Sequence, residues 1–204
     1  LFIIYTPTDG PDPSKRQLAL ASEIVRHLNV GRYNARVALI KYSSPESARV
    51  EFNFNRYRTV DDVREAIEQT KWTGSSVRNR GKPILLADEV ISRPNGARFG
   101  GAQQLVFFFT DGMNGAADDI RYDVQRLHIK SEIYAVFTDA EAGLELNREV
   151  MSAIARSREH VFVGANFDEF VARITRLDEE QKCSSITEGY LFNRRRQLTA
   201  KATT

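Results

Sequence analysis

Cysteine is almost missing from this chain of 204 residues, with Cys183 the only one. One thiol cannot build an internal disulfide framework, so a small disulfide-stapled scaffold is excluded and the compartment cannot be read from cysteine content. Cys183 is expected to be a free thiol or to bridge something outside this stretch. Long apolar runs are missing too. Nothing approaches the roughly 20 residues that a bilayer-spanning helix needs, and no signal-peptide pattern opens the chain. That second absence excludes little, because Leu1 already lies in an apolar strand, as expected of a piece cut from a longer protein. An excess of charge of one sign is also lacking: 29 Lys and Arg against 27 Asp and Glu leave +2, too little by itself to imply a polyanionic partner. The three histidines, His27, His128 and His160, sit on different elements without motif spacing, so neither a histidine metal site nor a histidine general base is supported. No Gly-x-Ser-x-Gly elbow and no Gly-x-x-x-x-Gly-Lys-Ser/Thr loop occurs. The recognisable signals of an enzyme are therefore absent.

What is present centres on Gln104 to Gly112. Leu105-Val106-Phe107-Phe108-Phe109 is an unbroken apolar run, four of its five residues β-branched or aromatic. Such a run suits a strand covered on both faces in the middle of a parallel sheet. Thr110-Asp111-Gly112 follow at its carboxyl end, where open α/β sheets keep their ligand sites. The rest of the chain alternates in the same rhythm. Leu1 to Tyr5 reads as a buried strand closed by a loop rich in proline. Ser14 is placed to cap a helix carrying Leu18, Ala21, Ile24, Val25 and Leu28 up to Gly31. Val37, Leu39 and Tyr42 mark a second strand, and Val50, Phe52 and Phe54 alternate with Glu51 and Asn53 as in an edge strand with one wet face. Thr59 with Asp62 three residues on predicts a capped helix through Val63 and Ile67. A polar loop, Trp72 to Lys82, precedes a helix expected from Pro83 to Ile91, with proline tolerated in its first turn. Beyond Gly112 come a helix through Val124 and Leu127, a strand over 133–137, a helix through Val150 and Ile154, a short strand over 160–163 and a closing helix through Phe170 and Ile174.

Strands and helices in this order predict a doubly wound, mostly parallel α/β sheet with one antiparallel edge strand and helices on both faces. Residues 1–183 are expected to form the domain, and 184–204, with Arg194-Arg195-Arg196, a flexible basic tail or linker.

The Phe-Ile-Ile strand leading into a hydroxyl-rich loop, Leu28-Asn29-Val30-Gly31, Arg36 to Tyr42, Phe109-Thr110-Asp111-Gly112, and His160-Val161-Phe162 before Phe167-Asp168 occur in an order that resembles a von Willebrand factor type A domain. The resemblance covers Leu1 to about Cys183. It implies a ligand site on the upper rim of the sheet, where the family usually holds Mg²⁺ or Mn²⁺ through an Asp-x-Ser-x-Ser loop, a threonine of a second loop and the Asp of Thr-Asp-Gly. Here that pattern is damaged. The first loop supplies Thr6, Thr8 and Gly10 in one register, or Tyr5, Pro7 and Asp9 in the other, and neither reproduces the motif. With the first register favoured, Thr8, Ser76 and Asp111 are the expected remnants of a vestigial metal site, with Ser75 or Val77 as alternatives to Ser76. Thr6, Asp9, Arg78 and Arg80 are the expected partner-binding residues, the arginines because a guanidinium pairs bidentately with carboxylate.

By this resemblance the chain is a non-enzymatic, protein-binding module of an extracellular-matrix or cell-adhesion protein, secreted or part of an ectodomain, without nucleic acid as a partner. Two other readings remain open. One is a nucleotide- or phosphate-binding α/β enzyme with Gly74-Ser75-Ser76 as its phosphate loop; the expected late start of the next helix, at Pro83, argues against it. The other is an intracellular scaffold of the same fold.

Overall fold

The aromatic run from Leu105 forms the strand that its composition predicts, fourth in a six-stranded sheet and buried on both sides. The computed structural model describes residues 1–6, 11–43, 48–72, 81–99, 102–110, 118–138, 148–164 and 168–176. Cys183 and the basic tail lie outside them. In chain order the elements are β1 (Phe2–Tyr5), α1 (Asp12–Arg26), β2 (Leu39–Tyr42), β3 (Arg49–Phe52), α2 (Val60–Glu68), α3 (Gly81–Val90), β4 (Leu105–Thr110), α4 (Asp118–Lys130), β5 (Glu132–Phe137), α5 (Arg148–Ala155) and β6 (Val161–Val163), followed by a helix, α6, over 168–176.

The strand order is β3-β2-β1-β4-β5-β6. Every pairing is parallel except that of β3 with β2. Side chains alternate across β4. Val106 and Phe108 point into a core with α3, α4 and α5 (Ile84, Val124, Met151), while Phe107 and Phe109 point into a second core with α1, α2 and α6 (Ile24, Val63, Phe170). Helices thus cover both faces. That is why the run shows no polar alternation, and burying each phenylalanine contributes about 2–3 kcal/mol. In the second core, Phe107 stacks on Tyr134 with centroids 5.6 Å apart and meets Phe170 edge-on at 5.6 Å.

Several boundaries differ from expectation. Helix α1 starts at Asp12, two residues before the anticipated cap; Pro11 is its N-cap without a side-chain bond, and a proline occupies the first turn, where no N–H partner is needed. Ser14 is buried and donates back to the Pro11 carbonyl at 2.8 Å. The helix also ends early, at Arg26 rather than near Gly31. Thr59 does cap α2, accepting from the Asp62 N–H at 3.1 Å. Strand β3 does not keep one wet face through Phe54. Its register slips between Leu39 and Ile40, so that Val50, opposite Ile40, is exposed while Phe52, opposite Leu39, enters the second core; a bulge breaks the period of two, and because the strand ends at Phe52, Phe54 turns into the first core. Helix α3 begins at Gly81, two residues before Pro83.

Candidate functional site

Five strands run parallel, and their carboxyl ends define one pole of the sheet. Thr6 follows β1 and Thr110 ends β4; the pairing of Phe2 with Phe107 and Ile3 with Phe108, carried two residues further, sets Tyr5 beside Thr110. Helix α3 also starts at this pole, since its far end leads through 92–104 to the beginning of β4.

The base of the first loop is held by a short network. Both the N–H and the hydroxyl of Thr6 donate to the Tyr42 carbonyl, at 2.8 and 3.1 Å. Thr6 is 1% exposed, so its hydroxyl is committed to bracing the junction of β1 and β2. The Tyr5 N–H donates to Oε1 of Gln17, a fully buried side chain of α1, at 2.9 Å. The Nε2 of Gln17 is buried and has no acceptor among the described residues. Tyr42 donates its hydroxyl to the Phe109 carbonyl at 3.3 Å. Its ring packs against Tyr5 at 5.2 Å and Phe108 at 5.6 Å, which gives the pole a rigid aromatic floor. Thr110 and Ser43 are buried beside it.

Of the residues expected at the site, Thr8 and Asp9 fall in 7–10, Ser76, Arg78 and Arg80 in 73–80, and Asp111 in 111–117, all outside the described residues. The described residues flanking these segments, Thr6, Gly81 and Thr110, converge on one pole. Among the described residues no group of three or more His, Cys, Asp and Glu side chains is placed to hold a metal ion. No described helix is long and apolar enough to cross a membrane. A separate cleft of about 530 Å³ lies beside α5 and β6, lined among the described residues by Arg148, Glu149, Ser152, Ala153, Arg158 and Val161.

Gln17 and Tyr42 are structural members of the site that sequence reasoning passed over. The signal for Gln17 was available: it lies four and seven residues before Ala21 and Ile24, on the apolar stripe of α1, where an amide must find a buried partner.

A model of the von Willebrand factor type A domain matches residues 10–176. Vitrin of Bos taurus is 29% identical over 164 residues, which cover 78% of this chain and 23% of vitrin. Matrilin-1 of Homo sapiens is 30% identical over 147 residues, 72% of this chain and 28% of matrilin-1. The chain thus spans about a quarter of the length of these two relatives. Among solved structures, proximal thread matrix protein 1 from the mussel byssus, with a zinc-occupied MIDAS motif, matches at a TM-score of 0.70 and 15% identity over 89% of this chain and 47% of that one. At such identity the likeness shows the fold alone.

Proposed function

The chain belongs to the von Willebrand factor type A domain family, and from that premise we propose that it is a non-enzymatic, protein-binding module of an extracellular-matrix or cell-adhesion protein. It would grip a matrix or cell-surface partner with the rim at the carboxyl ends of its strands. The observation that carries this reading is the placing of β4, buried on both faces at the centre of the sheet and ending in Thr110 beside the braced base of the first loop. The partner-facing groups would come from the segments holding Asp9, Arg78, Arg80 and Asp111, with Thr6 fixing the base from which the first of them departs.

Mg²⁺ or Mn²⁺ would be the cation of a complete site. Thr8, Ser76 and Asp111 offer two hydroxyls and one carboxylate, whereas a magnesium-class ion needs near-octahedral oxygen ligation. Waters can complete such an octahedron, but without the first-loop carboxylate of the motif the set lacks a charge that would touch the ion or hold its waters, so the grip is assigned to the protein surface. Family membership speaks against the phosphate-binding enzyme, and α3 starts at Gly81, five residues beyond Ser76 and not immediately behind the Gly74-Ser75-Ser76 loop.

The test is capture of matrix proteins from a tissue extract by the immobilised chain. Substituting Asp9, Arg78 and Arg80 together by alanine should abolish capture, while Lys15→Ala on α1 leaves it unchanged. Equal capture by the rim variant would overturn the rim as the binding face. Calorimetry showing tight Mg²⁺ or Mn²⁺ binding that disappears in Asp111→Ala would overturn the vestigial site.

A further inference from the structure

Three neighbouring segments lie at the pole opposite the rim, 29–36 before β2, 53–58 after the antiparallel β3, and 92–99 before β4, while the starts of β5 and β6, with Glu132 and Glu159, form the rest of that pole. The three segments carry Arg32, Arg36, Arg56, Arg58, Arg93 and Arg98 and not one carboxylate. A chain of net charge +2 therefore holds +6 in them and −4 over everything else.

These segments touch. Arg36 donates from one guanidinium nitrogen to the Gly96 carbonyl at 2.9 Å and from the other to the Arg32 carbonyl at 2.9 Å. Arg98 donates to the carbonyls of Tyr33 and Asn34. Asn55 donates to the Pro94 carbonyl at 2.9 Å. Gly96, with φ of +91°, lets the 53–58 segment approach so closely that a Cβ there would fall 2.3 Å from the Asn55 side-chain oxygen. The stitching uses backbone carbonyls throughout, so none of the positive charge is neutralised. Among the described residues none of the six arginines is ion-paired. Burial and the neighbouring Arg58 and Arg32 push the Arg36 guanidinium below its ordinary value; burial and Arg36 do the same to Arg98.

The two half-buried arginines, Arg36 and Arg98, hold the loops, while Arg32, Arg56, Arg58 and Arg93 are exposed. Two of the exposed ones lie over tyrosine rings, Arg32 at 5.5 Å from Tyr33 and Arg56 at 5.7 Å from Tyr57. This cation–π contact orients a guanidinium while leaving its N–H groups to a ligand. Tyr33 is 81% exposed and Phe99 40%, so apolar rings stand among the charges.

We propose that this pole binds a sulfated polysaccharide, so that one domain holds a matrix protein at its rim and a sulfated glycan at its opposite end. Repeated sulfates on a linear chain meet several exposed guanidiniums at once, each able to donate two parallel hydrogen bonds, and the rings offer faces to the sugar units. The choice of glycan over nucleic acid rests on the extracellular setting proposed above; the positive surface itself does not.

The test is binding of a fluorescent heparin octasaccharide to the full chain. Affinity should fall roughly tenfold or more between 50 and 200 mM NaCl, as release of counterions from a polyanion requires. Arg32→Ser, Arg56→Ser and Arg93→Ser together should weaken binding at least tenfold, since none of these side chains holds a loop. Lys15→Ser with Arg26→Ser on α1 should change it less than twofold, and hyaluronan, which has carboxylates but no sulfate, should bind at least tenfold more weakly than heparin. Unchanged affinity in the triple variant would overturn the proposal and move the site to the tail or the rim. Binding of hyaluronan or a DNA oligonucleotide as tightly as heparin would overturn the sulfated ligand. The triple variant should still capture protein through the rim, so failure here and failure of the rim reading are separately visible.

Discussion

The Tyr42 hydroxyl lies 3.3 Å from the Phe109 carbonyl oxygen, so β2 reaches β4 across the end of β1, the strand between them. One bond therefore fixes the heights of two strand ends from which rim segments depart. Tyr42→Phe keeps the ring packing on Tyr5 and Phe108 and deletes the hydroxyl. The expected cost is about 1 kcal/mol, the usual net worth of a buried hydrogen bond, read as a lower urea midpoint. Capture of a partner at the rim should weaken as well, because the carbonyl next to Thr110 is released. A variant with unchanged midpoint would show that the tyrosine contributes only its ring.

Lys41 is a buried cation in the middle of β2. Its ammonium donates to the Lys71 carbonyl just beyond α2 at 2.5 Å and lies 3.3 Å from the Glu51 carboxylate of the edge strand. It thus joins helix to sheet edge. Lys41→Met keeps most of the volume but leaves the Lys71 carbonyl without its donor, while Glu51 retains Arg49 at 2.7 Å. The expected loss is about 1–3 kcal/mol, with faster amide exchange at the end of α2. If Lys41→Met were as stable as the parent, desolvation of the ammonium would have to equal what its two contacts return.

Much of this architecture was legible in the sequence, for identifiable reasons. Leu105 to Phe109 are apolar without interruption because helices cover both faces, and the cap of Thr59 on α2 is a local contact three residues long. The failures came where a distant partner decides. Val50 departs from strand alternation because β3 slips against β2, and Phe54 because the strand ends at Phe52. Gln17 shows as polar on an apolar stripe, but only the fold reveals the Tyr5 N–H as its partner. The expected rim residues were named from a family resemblance, and of them only Thr6 is among the described residues. The basic pole was hidden, since its arginines come in pairs from three segments, the outermost about sixty residues apart, and a balanced net charge conceals them.

Asp88 ties α3 to α4. Its carboxylate, 9% exposed, takes Lys130 Nζ at 2.7 Å on one oxygen and Arg126 Nη2 at 3.0 Å on the other, and Lys130 also donates to the Asp88 carbonyl at 3.0 Å. The two cations should not count equally. The Arg126 side chain is 62% exposed and well screened, so Arg126→Ala should cost less than about 1 kcal/mol. Lys130 is 34% exposed with two contacts, so Asp88→Asn, which weakens both pairs at the buried end, should cost about 1–3 kcal/mol. Denaturant titrations of the two variants check the ranking. Arg126→Ala proving the more damaging would mean that the exposed pair, and not Lys130, clamps the helices.

His128, on the inner side of α4, gives the domain a predictable response to acid. Burial lowers its pKa below the ordinary 6.5, with Arg156 and His160 adding repulsion and a backbone hydrogen bond to Ile154 opposing them. Its Nε2 is buried with no partner among the described residues, so a proton there would have nothing to donate to. In the unfolded chain the imidazole takes up a proton near its ordinary value, whereas the folded chain resists until lower pH. The contribution of neutral His128 is therefore fully present above about pH 6.5 and is lost progressively as pH falls towards the folded pKa, below which the loss levels off. Stability should drop between pH 7.5 and 5 in the parent, and the drop should be smaller in His128→Phe, which keeps an aromatic ring but cannot titrate. The difference between the urea midpoints of the two proteins, followed against pH, isolates position 128. Parallel pH profiles would mean that this imidazole gains its proton as readily in the fold as outside it.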